Sequence, residues 1–306
     1  MTPVTLNSNR SIARAGERFR EYKEVPGDRD ILLAYRLFLS GDVAPVFGAL
    51  RDCMSGVPGL TSCRIKRLDS IVRKLRRQHA MDLVRMDDVI GFRMIVPSLS
   101  LQDELLARFK DGDVDLRVKD CRDEPRLGYR AIHLILRRER QLPGAKAPSM
   151  YPYEVQIRTY YQHLWSSTSE SFGELVKEGG GTPEVRSYLD LLSNELRDAE
   201  SSDPARSQME EIHQPPGLSF YSLQFDHRSR DLRNLQSFGG DVERAMSYFG
   251  YLENQARDDL SSETVLLGCS SSIDELKVTH LRYFVPRGIP DLPDDIRAKL
   301  PRRPDK

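Results

Sequence analysis

The chain's hydrophobic patterning predicts an α+β fold: a mixed, largely antiparallel sheet flanked by helices, with a second, small α+β unit towards the C-terminus. Three observations carry that prediction. Tyr153-Glu154-Val155-Gln156-Ile157-Arg158-Thr159 alternates with a period of two, setting Glu154, Gln156 and Arg158 on one face of a strand and Tyr153, Val155 and Ile157 on the other. Residues 86–96 are nearly continuously apolar, as in a central strand covered on both sides. Residues 31–50, 99–110 and 184–197 repeat apolar side chains at helical spacing.

Composition narrows the class. At 306 residues the chain exceeds one typical domain, so a main domain with a smaller companion is expected. Lys plus Arg and Asp plus Glu number 46 each, so no global basic field marks a nucleic-acid binder and any cationic site must be local. The cysteines at 53, 63, 121 and 269 lack CxxC spacing, which argues against a zinc ribbon or a disulfide framework; they read as isolated reduced thiols. The N-terminus has no apolar signal core, and no run reaches the roughly 20 apolar residues of a membrane span. A cytoplasmic protein without a membrane partner is therefore expected.

In chain order, residues 1 to 30 read as a polar helical arm ended by Pro26 and Gly27. Ile31, Leu32, Tyr35, Leu37 and Phe38, then Val43, Val46, Phe47 and Leu50, suggest two packed helices. Residues 64–77 read as one helix, with Lys66, Ser70, Lys74 and Arg77 opposite Leu68, Ile71, Val72 and Leu75. A cationic stripe is often only a solvated face. Here Asp69 alone interrupts it, and unrelieved like charges repel unless an anion sits among them.

Asp88 stands at the start of the 86–96 strand, and Arg93 inside it must meet a carboxylate or phosphate, because an unpaired buried guanidinium is costly. Lys119-Asp120 opens a turn-rich loop through Pro125, Arg126 and Gly128, leading to a strand over 128–136. On it Tyr129, Ala131 and His133 share a face, with room over Ala131 for a flat ligand against Tyr129; a core Tyr and a satisfied core His is the competing reading. A hairpin with 153–159 would bring Tyr129 and His133 beside Glu154, Gln156 and Arg158. That trio can hold a metal ion and polyphosphate oxygens, or form a solvated face with a local Glu-to-Arg pair. Thr159 caps a helix carrying His163 and Trp165. Residues 201–217 read as a linker, 218–286 as a small α+β accessory unit without a cluster of catalytic residue types, and 287–306 as a frayed tail.

No GxxxxGKS and no GxGxxG occurs, so phosphate binding falls to side chains, and no His-Asp dipeptide signals a phosphohydrolase of the HD type. Four motifs stand in order: RIKRLDSIVRKL from Arg64, DDVIGFR from Asp87, GYRAIH from Gly128, and EVQIRT from Glu154 followed by QHLW. In these the chain resembles the synthetase domain of the RelA/SpoT alarmone synthetases over roughly residues 10 to 200. The resemblance implies a nucleotidyltransferase-like synthetase domain in residues 1–200. It implies (p)ppGpp synthesis, with pyrophosphate passing from ATP to the 3′-hydroxyl of GDP or GTP, and Mg²⁺ as cofactor. By the same resemblance Arg64, Lys66, Ser70 and Lys74 bind the donor nucleotide, Arg64 at adenine and the lysines at phosphates. Asp88 and Glu154 hold Mg²⁺ and, with Arg93, form the catalytic set, Glu154 being also the candidate base. Tyr129 stacks on the acceptor guanine, with His133, Gln156, Arg158, His163, Lys119 and Arg126 around it. After Trp165 the chain departs from the family pattern, reading Ser166-Ser167-Thr168-Ser169-Glu170. Two alternatives stay open: a toxic relative acting on adenosine nucleotides or the tRNA 3′ end, and a non-catalytic nucleotide-binding domain. The accessory unit would then be a regulator, an antitoxin-like inhibitor or an oligomerisation unit.

Overall fold

In the computed structural model the described residues are 6, 8–112, 115–123, 125, 127–172, 181–202, 217–256, 261–270, 272–285 and 290–304. Eight strands form one sheet: β1 Leu60–Ile65, β2 Ile90–Val96, β3 Leu116–Asp120, β4 Ile132–Arg140, β5 Ser149–Thr159, β6 Ser219–Asp226, β7 Asp231–Ser237 and β8 Ser262–Cys269. Their order is β3-β4-β5-β2-β1-β8-β6-β7, and every neighbouring pair is antiparallel except β2 with β5. The expected mixed, largely antiparallel sheet is thus what the chain forms.

The period-two reading of 153–159 holds in β5, where Tyr153, Val155 and Ile157 are fully buried while Glu154 and Gln156 are half-buried on the opposite face. Strand β2 is covered on one side by Ile90, Phe92, Met94 and Val96, and Gly91 and Arg93 turn half-buried to the other. The expected β4–β5 hairpin forms, with His133 opposite Gln156.

Helices α1 Asn9–Arg20, α2 Asp28–Ser40, α3 Val43–Cys53, α4 Leu68–Arg77, α5 Leu99–Asp111 and α8 Val242–Gln255 share the main core with the sheet's inner side chains. Residues 28–53 are together long and apolar enough to cross a membrane by length and composition, but Gly41 and Asp42 divide them into α2 and α3, whose Leu32, Tyr35, Leu39, Val46 and Phe47 lie in this core. Helices α6 Tyr160–Ser171 and α7 Pro183–Ser202 build a second core with Leu292 and Ile296.

Four expectations are corrected. The helix read over 64–77 starts only at Leu68: Arg64 is in β1, where backbone pairing with β2 on one side and β8 on the other outweighs helical periodicity. Ser70 turns into the packed side of α4 and is buried, away from a solvent-facing stripe. Lys119 is in edge strand β3, not in a loop, because β4 supplies its pairing partners. The tail is not frayed where described, since Leu292 and Ile296 of the segment carrying α10 Asp294–Lys299 bury against α6 and α7.

The accessory unit is no separate sheet. Cys63, Arg64 and Ile65 of β1 pair with Gly268, Leu267 and Leu266 of β8, so β6, β7 and β8 continue the same sheet as β1 to β5. Most of the expected linker, 203–216, and Arg126 lie outside the described residues.

Candidate active site

The parallel register of β2 and β5 sets Gly91 beside Glu154 and Arg93 beside Gln156, while β1 brings Arg64 opposite Gly91 and Ser62 opposite Arg93. Charged side chains of three neighbouring strands thereby project from one sheet face. They line a cleft of about 170 Å³ with Lys66, Asp88, Arg158, Glu170 and His280. Gly91 leaves its centre open, since a Cβ built there meets nothing within 4 Å.

At one end Asp88 lies between two ammonium groups: Lys66 Nζ donates to Oδ2 at 2.6 Å and Lys74 Nζ to Oδ1 at 2.7 Å. Burial alone would push the Asp88 carboxyl up, but Lys66 and Lys74 together hold it well below the usual carboxylate range. Lys66 is itself lowered, chiefly by burial and also by Lys74 and Arg64, against the pull of Asp88.

Glu154 ends a closed ring of hydrogen bonds. Arg158 donates to the Tyr129 hydroxyl at 2.9 Å, and that hydroxyl meets His133 Nε2 at 2.8 Å. His133 Nδ1 meets Glu154 Oε1 at 2.8 Å. On the other side Arg158 donates to Gln156 Oε1, and Gln156 donates to Glu154 Oε2, both at 2.7 Å. One donor sequence satisfies every partner: Arg158 to Tyr129 to His133 to Glu154, and Arg158 to Gln156 to Glu154, so both branches end on the carboxylate. Burial opposes ionisation of Glu154, yet the hydrogen bond from His133 prevails, with Gln156 assisting, and its pKa is lowered. Gly128 prepares the ring: its φ of +81° suits glycine, and a Cβ there would meet Ser193 Cβ at 2.7 Å.

The guanidinium groups are the least satisfied part of the site. Arg64 Nε, Arg93 Nε, and Arg158 Nε and NH1 are buried without a hydrogen-bond partner. Each such donor costs about 1 to 3 kcal/mol unless an acceptor reaches it. Arg93 NH1 donates to the Thr279 carbonyl rather than to a carboxylate, and burial together with Arg158 lowers its pKa to about 10.

Other expected residues fall differently. Lys119 is exposed but registers opposite His133. Tyr129 is half-buried outside the cleft lining, with Trp165 edge-on at 6.0 Å and Arg158 over its ring at 5.3 Å. His163 does not reach the cleft surface: it is fully buried, and Nε2 donates to the Val278 carbonyl at 2.8 Å. Burial and the charges of Arg93 and Arg158 keep it neutral, well below the usual histidine range.

Sequence reasoning missed Glu170, His280, Glu253 and Glu263. His280 and the two glutamates come from the C-terminal unit, where no motif flagged them. Glu263, 1 % exposed, contacts Arg67 at 3.2 Å, Arg282 at 2.7 Å and the Tyr283 hydroxyl at 3.0 Å; against its burial these cations hold it at about 2. Glu253 accepts from the Leu68 N–H at 2.8 Å and pairs with Arg36 through both oxygens.

Among the described residues no three His, Cys, Asp or Glu side chains converge as a metal site. Two carboxylates remain: Asp88 and Glu154 line one cleft, and the charge of Asp88 is felt at Glu154. That hard oxygen pair suits Mg²⁺, which usually takes one or two carboxylates and fills its other positions with water and phosphate.

Residues 63–172 match the family model described as a region found in RelA / SpoT proteins. Uncharacterised proteins of Mycobacterium bovis and Mycobacterium tuberculosis are each 30% identical over 176 residues, 56% of this chain and 61% of theirs. The chain thus spans about 61% of the length of these relatives. Among solved structures, small alarmone synthetase 2 of Bacillus subtilis is 23% identical, with 57% of this chain and 95% of that one covered at a TM-score of 0.47. Small alarmone synthetase 1 of the same organism, solved with its product pppGpp, is 20% identical, with 54% and 93% covered at a TM-score of 0.45.

Proposed function

We propose that the protein, whose residues 63–172 match the RelA/SpoT family model, is a (p)ppGpp synthetase that transfers pyrophosphate from ATP to the 3′-hydroxyl of GDP or GTP. One observation supports this above the rest. Buried, unpartnered N–H groups of Arg64, Arg93 and Arg158 share a cleft with Lys66 and the carboxylates Asp88 and Glu154. Such a site is short of acceptors, and a polyphosphate chain supplies many.

Phosphoryl transfer asks for in-line positioning and charge neutralisation rather than covalent chemistry by the protein. Lys66 and Lys74, bridged by Asp88, are set to grip the donor's phosphates. Arg64 and Arg93 lie further along the cleft, where the donor base would rest. Glu154, ionised and fixed by His133 and Gln156, accepts the proton of the acceptor hydroxyl, and the Tyr129 ring stacks on the acceptor base. Bound between Asp88 and Glu154, Mg²⁺ would neutralise polyphosphate charge.

Purified protein incubated with labelled ATP, Mg²⁺ and, in parallel, GDP, GTP, ADP or deacylated tRNA tests the proposal. Label on the guanosine nucleotides is the expected result. Label confined to ADP or tRNA would replace the acceptor, and no transfer to any of them despite nucleotide binding would leave only the non-catalytic reading.

A further inference from the structure

The cleft has two unlike ends, ordered along β2. Lys66 and Asp88 sit before the strand, where the Lys66 N–H bonds the Val89 carbonyl; Arg64 and Glu154 register with Gly91; Ser62 and Gln156 register with Arg93. The first end carries ammonium groups and carboxylates. At the other the C-terminal unit closes in: α9 Ile273–Thr279 packs on β1, its Thr279 carbonyl accepts from Arg93, and His280 lines the cleft.

The state of His280 follows from its neighbours. The Thr279 hydroxyl donates to the Glu275 carbonyl at 2.8 Å, so towards His280 Nδ1, 2.9 Å away, it offers only a lone pair. Nδ1 therefore carries the proton. The ring is 7 % exposed, and burial with the charges of Arg93 and Arg64 keeps it neutral, well below the usual histidine range. Nε2 is left as a bare acceptor with no partner among the described residues. Around it Arg64, Arg93 and Arg158 offer only donors, and the Glu170 carboxylate is engaged by the fields of Arg64 and Arg93. A ligand group complementary to Nε2 must bring an N–H or O–H.

We propose that His280 is a specificity-determining residue of the donor subsite, its Nε2 accepting a hydrogen bond from the 6-amino group of the donor's adenine. A 6-oxo purine would turn a second acceptor towards the same lone pair, leaving both unsatisfied in a buried place. The C-terminal unit thereby completes the site and selects the donor base. The inference rests on the reading that ATP is the donor, with its phosphates at Lys66 and Lys74.

The test is binding of ATP and inosine triphosphate, each with Mg²⁺, to the full chain by calorimetry, with wild type, H280F, H280A and H280Q compared. Wild type should prefer ATP by about tenfold or more, the worth of one such hydrogen bond. H280F, which keeps the ring volume, and H280A should bring the two within about twofold, mainly by weakening ATP. H280Q, with an amide oxygen near the Nε2 position, should restore the preference. Thermal unfolding of each variant verifies the fold. An unchanged ATP preference in folded H280F would overturn the proposal, as would loss of discrimination against 2′-deoxy-ATP instead, which would put the ribose at this acceptor. Wild-type chain that binds both purines equally overturns this inference alone; wild-type chain that binds neither overturns the donor reading with it.

Discussion

At the scale of single residues, Asp88 and Glu154 owe their ionised state to different partners, ammonium groups for one and a hydrogen-bond ring for the other. E154Q removes the proton acceptor while keeping the shape, and is expected to lower kcat by roughly 10² to 10⁴, with a thermal transition close to wild type. D88N should lower transfer comparably, because Lys66 and Lys74 lose the shared negative charge that holds two mutually repelling ammonium groups in place. Y129F separates two roles of that ring: if it stacks on the acceptor base, KM for the acceptor stays near wild type while kcat falls with the broken ring of hydrogen bonds. Glu263 offers a stability test. Its folded pKa, about 2, lies below the ordinary glutamate value of 4.5, so its stabilisation is fully present above about pH 4.5 and is lost as pH falls through about 2. E263Q leaves buried cations uncompensated and should cost roughly 3 to 5 kcal/mol at pH 7. Urea unfolding of both proteins from pH 7 down to pH 2 should show that gap narrowing.

At the scale of elements, α4 is the case where a helix depends on another part of the chain. Its N-cap, Arg67, makes no side-chain cap bond; Glu253 of α8 instead accepts from the Leu68 N–H while pairing with fully buried Arg36. The same Arg36 donates to the Lys66 carbonyl, so α2, α8 and the turn carrying Lys66 are tied together. E253Q should therefore weaken donor binding as well as stability, read as a raised KM for ATP alongside a lowered melting temperature. Removing the strands after residue 205 goes further. It uncovers the β1 edge that β8 pairs with, and an unpaired central edge invites misfolding. A shortened chain of that kind is expected to lose nucleotide binding and to aggregate; a soluble, more active product would show instead that the C-terminal unit restrains the site.

At the scale of the whole molecule, zero net formal charge conceals a cationic cleft at the middle of an eight-stranded sheet. Because β1, β2, β5, α6 and the turn after α9 all contribute to its walls, a nucleotide bound there as proposed would bridge the two halves of the fold. Saturating ATP with Mg²⁺, at about 100 times Kd, should add about 2.7 kcal/mol to global stability. A shift in melting temperature should report it, and should vanish in the K66A/K74A double variant.

Much of this was legible in the linear order of residues. Alternation in 153–159 specified which face Glu154 and Gln156 occupy, since strand side chains change sides at every residue, and the four ordered motifs lie where the RelA/SpoT family model matches. Helical spacing misled at Arg64, because periodicity registers side chains and not the β8 partner that captures the β1 backbone. Arg93 was known to need a partner, yet a carbonyl 186 residues away could not be read from its neighbours. What the sequence alone determined was the chemistry assembled on β2, β4 and β5, whose short-range patterns are local. Only the tertiary structure decided that the C-terminal strands belong to the same sheet, that His280 lines the cleft, and that Glu253 and Glu263 pair with Arg36, Arg67 and Arg282. The physical reason is that strand pairing and buried charge partners are long-range choices, made by whichever edge and whichever carboxylate the fold places within reach.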